Sequence, residues 1–194
     1  MINRRTFLGA SLGAGAVSVM ANAAALPFHS YQWSAKFHSL LVDQRSVEGL
    51  LFARAARSRG LLVTPVEDDV TAFWVEHLHQ RWHLTQGVIA GLTSYSVLIC
   101  LGQLARDHGM RLVYQGEHHP LGAQGIRHTL EGAPTILATV ADVRFSDAWP
   151  HDVLDLLSTN VKSSPHVSHE KRSFEGPGRM SVSMYSWLIV PRTV

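Results

Sequence analysis

Apolar residues along this chain fall into short unbroken runs separated by stretches of helical period. Residues 37–42 form the first run, and Asp43 ends it. Over residues 45–58 the apolar positions Val47, Leu50, Leu51 and Ala55 predict a helix that turns this stripe to a core. Gly60 stands where a helix C-cap belongs, and residues 61–66 resume strand character. Asp68 or Asp69 is placed to cap a second helix, with Val70, Phe73, Trp74, Leu78 and Trp82 as its stripe. Residues 88–92 are a third run. Thr93 or Ser94 caps a third helix, which reaches about His108 with Val97, Leu98, Leu101, Leu104 and Ala105 on one face and Gly109 as its stop. Residues 110–114 are a fourth run.

This alternation of strand and helix predicts an α/β fold, a three-layer α/β/α sandwich around a mostly parallel sheet. The runs do not alternate with polar residues, as expected for strands buried on both faces. Antiparallel strands enter the prediction in the C-terminal half. Residues 125–130 read as a return strand after the loop 120–123, and residues 183–190 as a final strand. Helices are predicted over 134–144 and 150–157. Residues 158–180, rich in Ser, Pro, Gly and charge, are expected to form one long irregular loop.

The first 25 residues have a different character. Asn3-Arg4-Arg5-Thr6-Phe7-Leu8 resembles the twin-arginine export signature, followed by a weakly apolar, glycine-diluted stretch to Met20. Ala21-Asn22-Ala23 and Ala23-Ala24-Ala25 both fit a cleavage site for small residues. The expected organisation is therefore a cleaved twin-arginine (Tat) signal at 1–25, a short lead-in over 26–35, and one α/β domain over 26–194. The resemblance implies a periplasmic or otherwise exported protein that crosses folded, and a possible protein partner co-exported through the same route. The stretch from Ile89-Ala90-Gly91-Leu92-Thr93 through Cys100-Leu101 to His108-Gly109-Met110-Arg111 is similar to a group of Tat-exported bacterial proteins to which no activity is attached.

Composition narrows the function classes. Of 194 residues 17 are basic and 15 acidic, and two of the basic ones are Arg4 and Arg5. The balance without the signal is even, and no basic stripe suits a nucleic-acid partner. No apolar stretch is long enough for a stable membrane anchor after cleavage. A single cysteine, Cys100, precludes an internal disulfide and cysteine-rich zinc or iron–sulfur sites, and its helix position predicts a partly buried, inert thiol. No dinucleotide, phosphate-loop or haem motif is present.

Candidate chemistry gathers in the loops that follow the strands, where open parallel sheets bind ligands. Those loops supply Asp43, Asp69, Thr93, Glu117 and His119 as candidate catalytic or binding residues for a small polar substrate. The same residues are ordinary helix caps and loop polarity. Glu117, His119 and His128 are candidate metal ligands, provided that a hairpin brings 128 beside 117 and 119. Glu76, His79 and His83 share one helix face that the stripe turns to solvent. His77 falls inside the stripe and is expected to be buried and neutral. His166 and His169 lie in the long loop, with loop polarity the simpler explanation. The expected function is a periplasmic binding or accessory protein that accompanies an exported redox enzyme. The alternative is a small periplasmic enzyme using the acidic and histidine rim.

Overall fold

The computed structural model describes residues 37–84, 87–138, 145–159 and 169–192. The export signal, the lead-in, the predicted helix end at 139–144 and His166 lie outside the described residues. Seven strands form one mixed sheet in the order β2–β1–β3–β7–β4–β5–β6. They are β1 (Phe37–Val42), β2 (Val63–Pro65), β3 (Val88–Thr93), β4 (Met110–Pro120), β5 (Ile126–Gly132), β6 (Glu170–Gly176) and β7 (Met184–Pro191). The helices are α1 (Val47–Ser58), α2 (Thr71–Phe73), α3 (His79–Leu84), α4 (Tyr95–Asp107), α5 (Pro134–Ala138) and α6 (Trp149–Thr159). The α/β class is as the pattern predicts, and Gly60 and Gly109 take positive φ after α1 and α4.

The sheet is not mostly parallel. Only β1–β2 and β1–β3 pair in parallel, while the other four pairings are antiparallel. Two of these come from β7, which enters between β3 and β4 and runs against both, and two from the succession β4–β5–β6. Two antiparallel steps restore direction, so β4 still points the same way as β1, β2 and β3. The irregular loop expected over 158–180 is also corrected, because Glu170–Gly176 pairs with β5 as the edge strand. Its exposed, charged side chains suit an edge, where water satisfies the open backbone groups.

Pleating sends alternate side chains to opposite sides of the sheet. Leu40, Val42, Leu92 and Leu188 join Phe52, Ala56, Trp149 and Leu154 in one core cluster. Leu41, Ile89, Trp187 and Ile189 join Phe73, Leu78, Trp82, Val97 and Leu101 in the other. In α1 the buried residues are Glu48, Gly49, Phe52, Ala53, Ala55 and Ala56, so of the stripe the sequence suggests only Ala55 faces inward. Val47, Leu50 and Leu51 have the same period displaced by two residues, about 200° round the helix, and they are exposed. Small residues let α1 approach the sheet closely, which bulky aliphatic residues would prevent. Cys100 is likewise exposed rather than partly buried.

Between α2 and α3 lies a π-helical turn, Trp74–Leu78, in which the His79 N–H bonds to the Trp74 carbonyl. The extra residue delays the helical phase by about 100°. Phe73, Leu78 and Trp82 thereby share one buried face, and His77 rotates out to solvent instead of into the core.

Gly91 lets β3 receive the Trp187 indole. A Cβ there would lie 2.6 Å from the Leu41 carbonyl oxygen and 2.6 Å from the indole ring. Gly91→Ala should destabilise the fold by about 1–3 kcal/mol through overpacking. Urea denaturation checks this, and a variant as stable as the parent would contradict the packing described.

Candidate functional site

The order β2–β1–β3 places a topological switch at β1, since the chain leaves β1 towards β2 and returns on the other side as β3. Ligands bind in the crevice beyond the carboxyl ends of strands at such a point. Asp43 follows β1, and Ser46 caps α1 by accepting the Gly49 N–H at 2.9 Å. Asp68 follows β2, and Ser94 is the N-cap of α4. These four residues, with Arg45 and the 181–184 segment leading into β7, line a cavity of about 360 Å3.

Charge in this crevice is organised by Arg45. Its Nε and Nη2 donate to the two Asp43 carboxylate oxygens at 2.9 and 2.6 Å, and its Nη1 donates to Asp68 at 2.8 Å. Arg45 and Ser94 hold the Asp68 carboxyl well below the usual carboxylate range, and Ser96 adds a hydrogen bond at 3.3 Å. Asp43 is nearly buried, so its charge needs this partner. Two carboxylates against one guanidinium leave the crevice with one net negative charge, and they already answer the positive ends of α1 and α4.

The register carries a row of residues across the carboxyl edge: Thr93 lies beside Tyr185, and Tyr185 beside Glu117. Thr93 is fully buried, and its hydroxyl accepts from Trp187 Nε1 at 2.9 Å, which gives it a structural task. Glu117 accepts from the Tyr185 hydroxyl at 3.1 Å. Burial and the Glu117 charge push the Tyr185 phenol up. Glu117 and Tyr185, with Tyr95, Gln115, Glu131 and Lys171, line a second cavity of about 280 Å3. His119 is exposed and meets Ser183 Oγ at 2.8 Å. Asp69 stands apart, accepting the Thr71 N–H at 2.8 Å, while the N-cap position of α2 falls to Val70 and not to Asp68 or Asp69.

Glu117, His119 and His128 do not converge as metal ligands. The hairpin forms, but its register pairs His128 with His118. Strand alternation then puts His128 with His118 in the aromatic core, on the side of the sheet opposite to Glu117 and His119. Glu76 does not join His79 and His83, since its contact is with His77 at 3.8 Å.

The residue pattern gave no sign of what His118 and His128 build. Tyr114 Oη and Ser186 Oγ (3.0 Å), Ser186 Oγ and His118 Nε2 (2.8 Å), and His118 Nδ1 and His128 Nδ1 (2.8 Å) form one continuous hydrogen-bonded run. Gly116 leaves room for it, because a Cβ there would lie 2.6 Å from both hydroxyls. Trp149 lies against His118 with centroids 4.3 Å apart, and Phe174 stacks on His128 at 5.3 Å. Burial, then the neighbouring imidazole, keeps His118 well below its usual value. Burial brings His128 down to about 4, against an opposing effect of Asp152. The β4–β5 hairpin pairs His118 with His128, and only the fold completes the network, by bringing in Ser186 of β7 from 68 residues beyond His118.

Comparison of the chain with protein-family models, with curated proteins and with solved structures gives no match.

Both histidines are neutral when folded and take up protons near 6.5 when unfolded. The unfolded chain therefore binds more protons below that value, and stability falls as pH drops from about 6.5 towards 4. Each tenfold loss of proton affinity on folding is worth about 1.4 kcal/mol, so His128 alone should cost on the order of 3 kcal/mol across this range. Urea denaturation at a series of pH values measures it, and a flat profile would refute a neutral buried pair.

Proposed function

We propose that this chain is an exported periplasmic binding or accessory protein that takes a small polar ligand in the crevice beyond β1, β2 and β3. The observation that carries this reading is the Asp43–Arg45–Asp68 ion network, assembled from two loops on the wall of one cavity. The volume, about 360 Å3, falls within the range of small-ligand sites. The net negative charge favours a neutral or cationic polar ligand over an anion. Binding is favoured over catalysis because Arg45 and Ser94 hold Asp68 as a carboxylate of lowered basicity, a poor proton acceptor as well as no donor. The fold behind it is taken as a three-layer α/β/α arrangement. Leu40 and Val42 sharing one core cluster with Phe52 of α1, while Leu41 shares the other with Val97 of α4, support that layering.

Export and partnership have their support in the sequence. Arg4 and Arg5 in the twin-arginine pattern favour passage of a folded domain, and no cofactor motif accompanies them. An accessory role beside an exported redox enzyme accounts for both. No helix among the described residues is long and apolar enough to cross a membrane.

The binding test is a thermal-shift and calorimetric screen of sugars, polyols, amino acids and amines. A ligand should bind the parent and lose about tenfold or more in affinity with Asp68→Asn, the worth of one charged hydrogen bond. Equal binding by this variant would remove the crevice from the reading. Turnover of the ligand that disappears with Glu117→Ala would instead favour the enzymatic alternative at the neighbouring cavity, where Glu117 and Tyr185 share a hydrogen bond.

Export is tested separately. Arg4→Lys combined with Arg5→Lys should keep nearly all of the protein in the cytoplasm. Undiminished recovery from the periplasm would overturn the twin-arginine assignment.

A further inference from the structure

The opposite edge of the sheet carries a histidine cluster that the proposed function does not use. Helix α4 starts at the carboxyl edge, at Ser94, and ends at the amino edge, at His108. There His108 meets His79 and His83 of α3. One ring nitrogen from each of the three lies within 4.8 Å of the others. Ring centroids are 4.8 Å apart for His83 and His108, 5.2 Å for His79 and His83, and 5.8 Å for His79 and His108. We infer that His79, His83 and His108 form a binding site for one divalent transition-metal ion, zinc in the first place.

Three features separate this cluster from a chance surface grouping. His79 and His83 are four residues apart on one helix, so both rings project from the same face. The π-helical turn just before them sets the direction of that face. Its last hydrogen bond, from His79 N–H to the Trp74 carbonyl, ends the turn where the ligand-bearing segment begins. Such turns occur often at functional sites.

The third ligand is oriented by its own helix. His108 Nδ1 lies 2.8 Å from the Leu104 carbonyl oxygen, to which it must donate. The lone pair therefore sits on Nε2, the arrangement that orients a metal-bound imidazole. His108 is also the C-cap of α4, where the helix dipole favours a cation.

Trp74 supports the arrangement from the side. Its ring meets His108 edge-on at 4.7 Å and His79 at 5.4 Å, which restricts both ring planes. Tetrahedral zinc with Zn–N near 2.0–2.1 Å needs ligand nitrogens about 3.3 Å apart. The exposed His79 and His83 side chains close the remaining gap by rotation about their own bonds. An all-imidazole set suits zinc, copper or nickel and does not suit magnesium or calcium, which take oxygen ligands. Three protein ligands leave at least one position on the solvent side for water or for a donor from another molecule.

The test uses the purified protein stripped with a chelator and titrated with Zn2+ against a chromophoric competitor. One ion per chain should bind, and Co2+ in its place should give the visible bands of a tetrahedral site. His83→Gln and His108→Gln should each weaken Zn2+ binding by at least about tenfold, since even an outer-shell partner is worth this much. His151→Gln, an exposed histidine on α6, should change nothing. Copper-loaded parent protein supplies a readout that requires no variant to fold, because its spin-resonance spectrum counts the coordinated imidazoles. Three support the site, and fewer than three overturn it. Absence of saturable Zn2+ uptake, or uptake unchanged by both substitutions, also overturns it.

Discussion

Between β3 and β4 runs β7, and four successive residues of it contact four separate parts of the carboxyl edge. The Met184 sulfur receives the Ser46 hydroxyl at the start of α1, and the Tyr185 hydroxyl donates to Glu117. Ser186 stands between Tyr114 and His118, while Trp187 donates to Thr93. Alternation along the strand sends Ser186 to one core and Trp187 to the other. The last strand in the sequence thus joins the parallel half of the sheet to the antiparallel half and positions the polar groups of both.

That junction places two kinds of polarity side by side. At the rim, Arg45 joins the nearly buried Asp43 to the exposed Asp68, whose charge stands in water and is available to a ligand. Beneath the rim, His118, His128, Ser186 and Tyr114 are enclosed by aromatic rings, so each proton must have a place inside the protein. Buried polar groups tolerate this only when they satisfy one another. His128 Nε2, which has no hydrogen-bond partner among the described residues, is the end of the run, and the Phe145 ring stands perpendicular to the His128 ring with centroids 4.9 Å apart. Such a network confers a unique strand register more than net stability, because a one-residue slip of β5 would turn His128 away from His118.

The two ends of α4 show how one element serves two edges. Its N-cap, Ser94, lines the crevice, and its C-cap, His108, meets α3 about 20 Å away by helix rise alone. The π-helical turn adjusts α3 so that Leu78 and Trp82 stay in the core while His79 and His83 reach that far end. Without the extra residue the same sequence would point different side chains inward.

What the amino-acid order determined by itself was local. Unbroken apolar runs, helix periods, and Gly60 and Gly109 at helix ends specify the first four strands and the helices between them, because these signals act within a few residues. They also specify that polar groups follow each strand, including Asp43 and Asp68. Tertiary structure alone decided the rest. Period did not distinguish the two faces of α1, since Val47, Leu50 and Leu51 repeat just as Gly49, Phe52 and Ala53 do; the space against the sheet made the choice. Nor could spacing place β7 between β3 and β4, bring Ser186 to His118, or bring His108 to His79 and His83. Each of those meetings joins residues distant along the chain, and only packing brings them together.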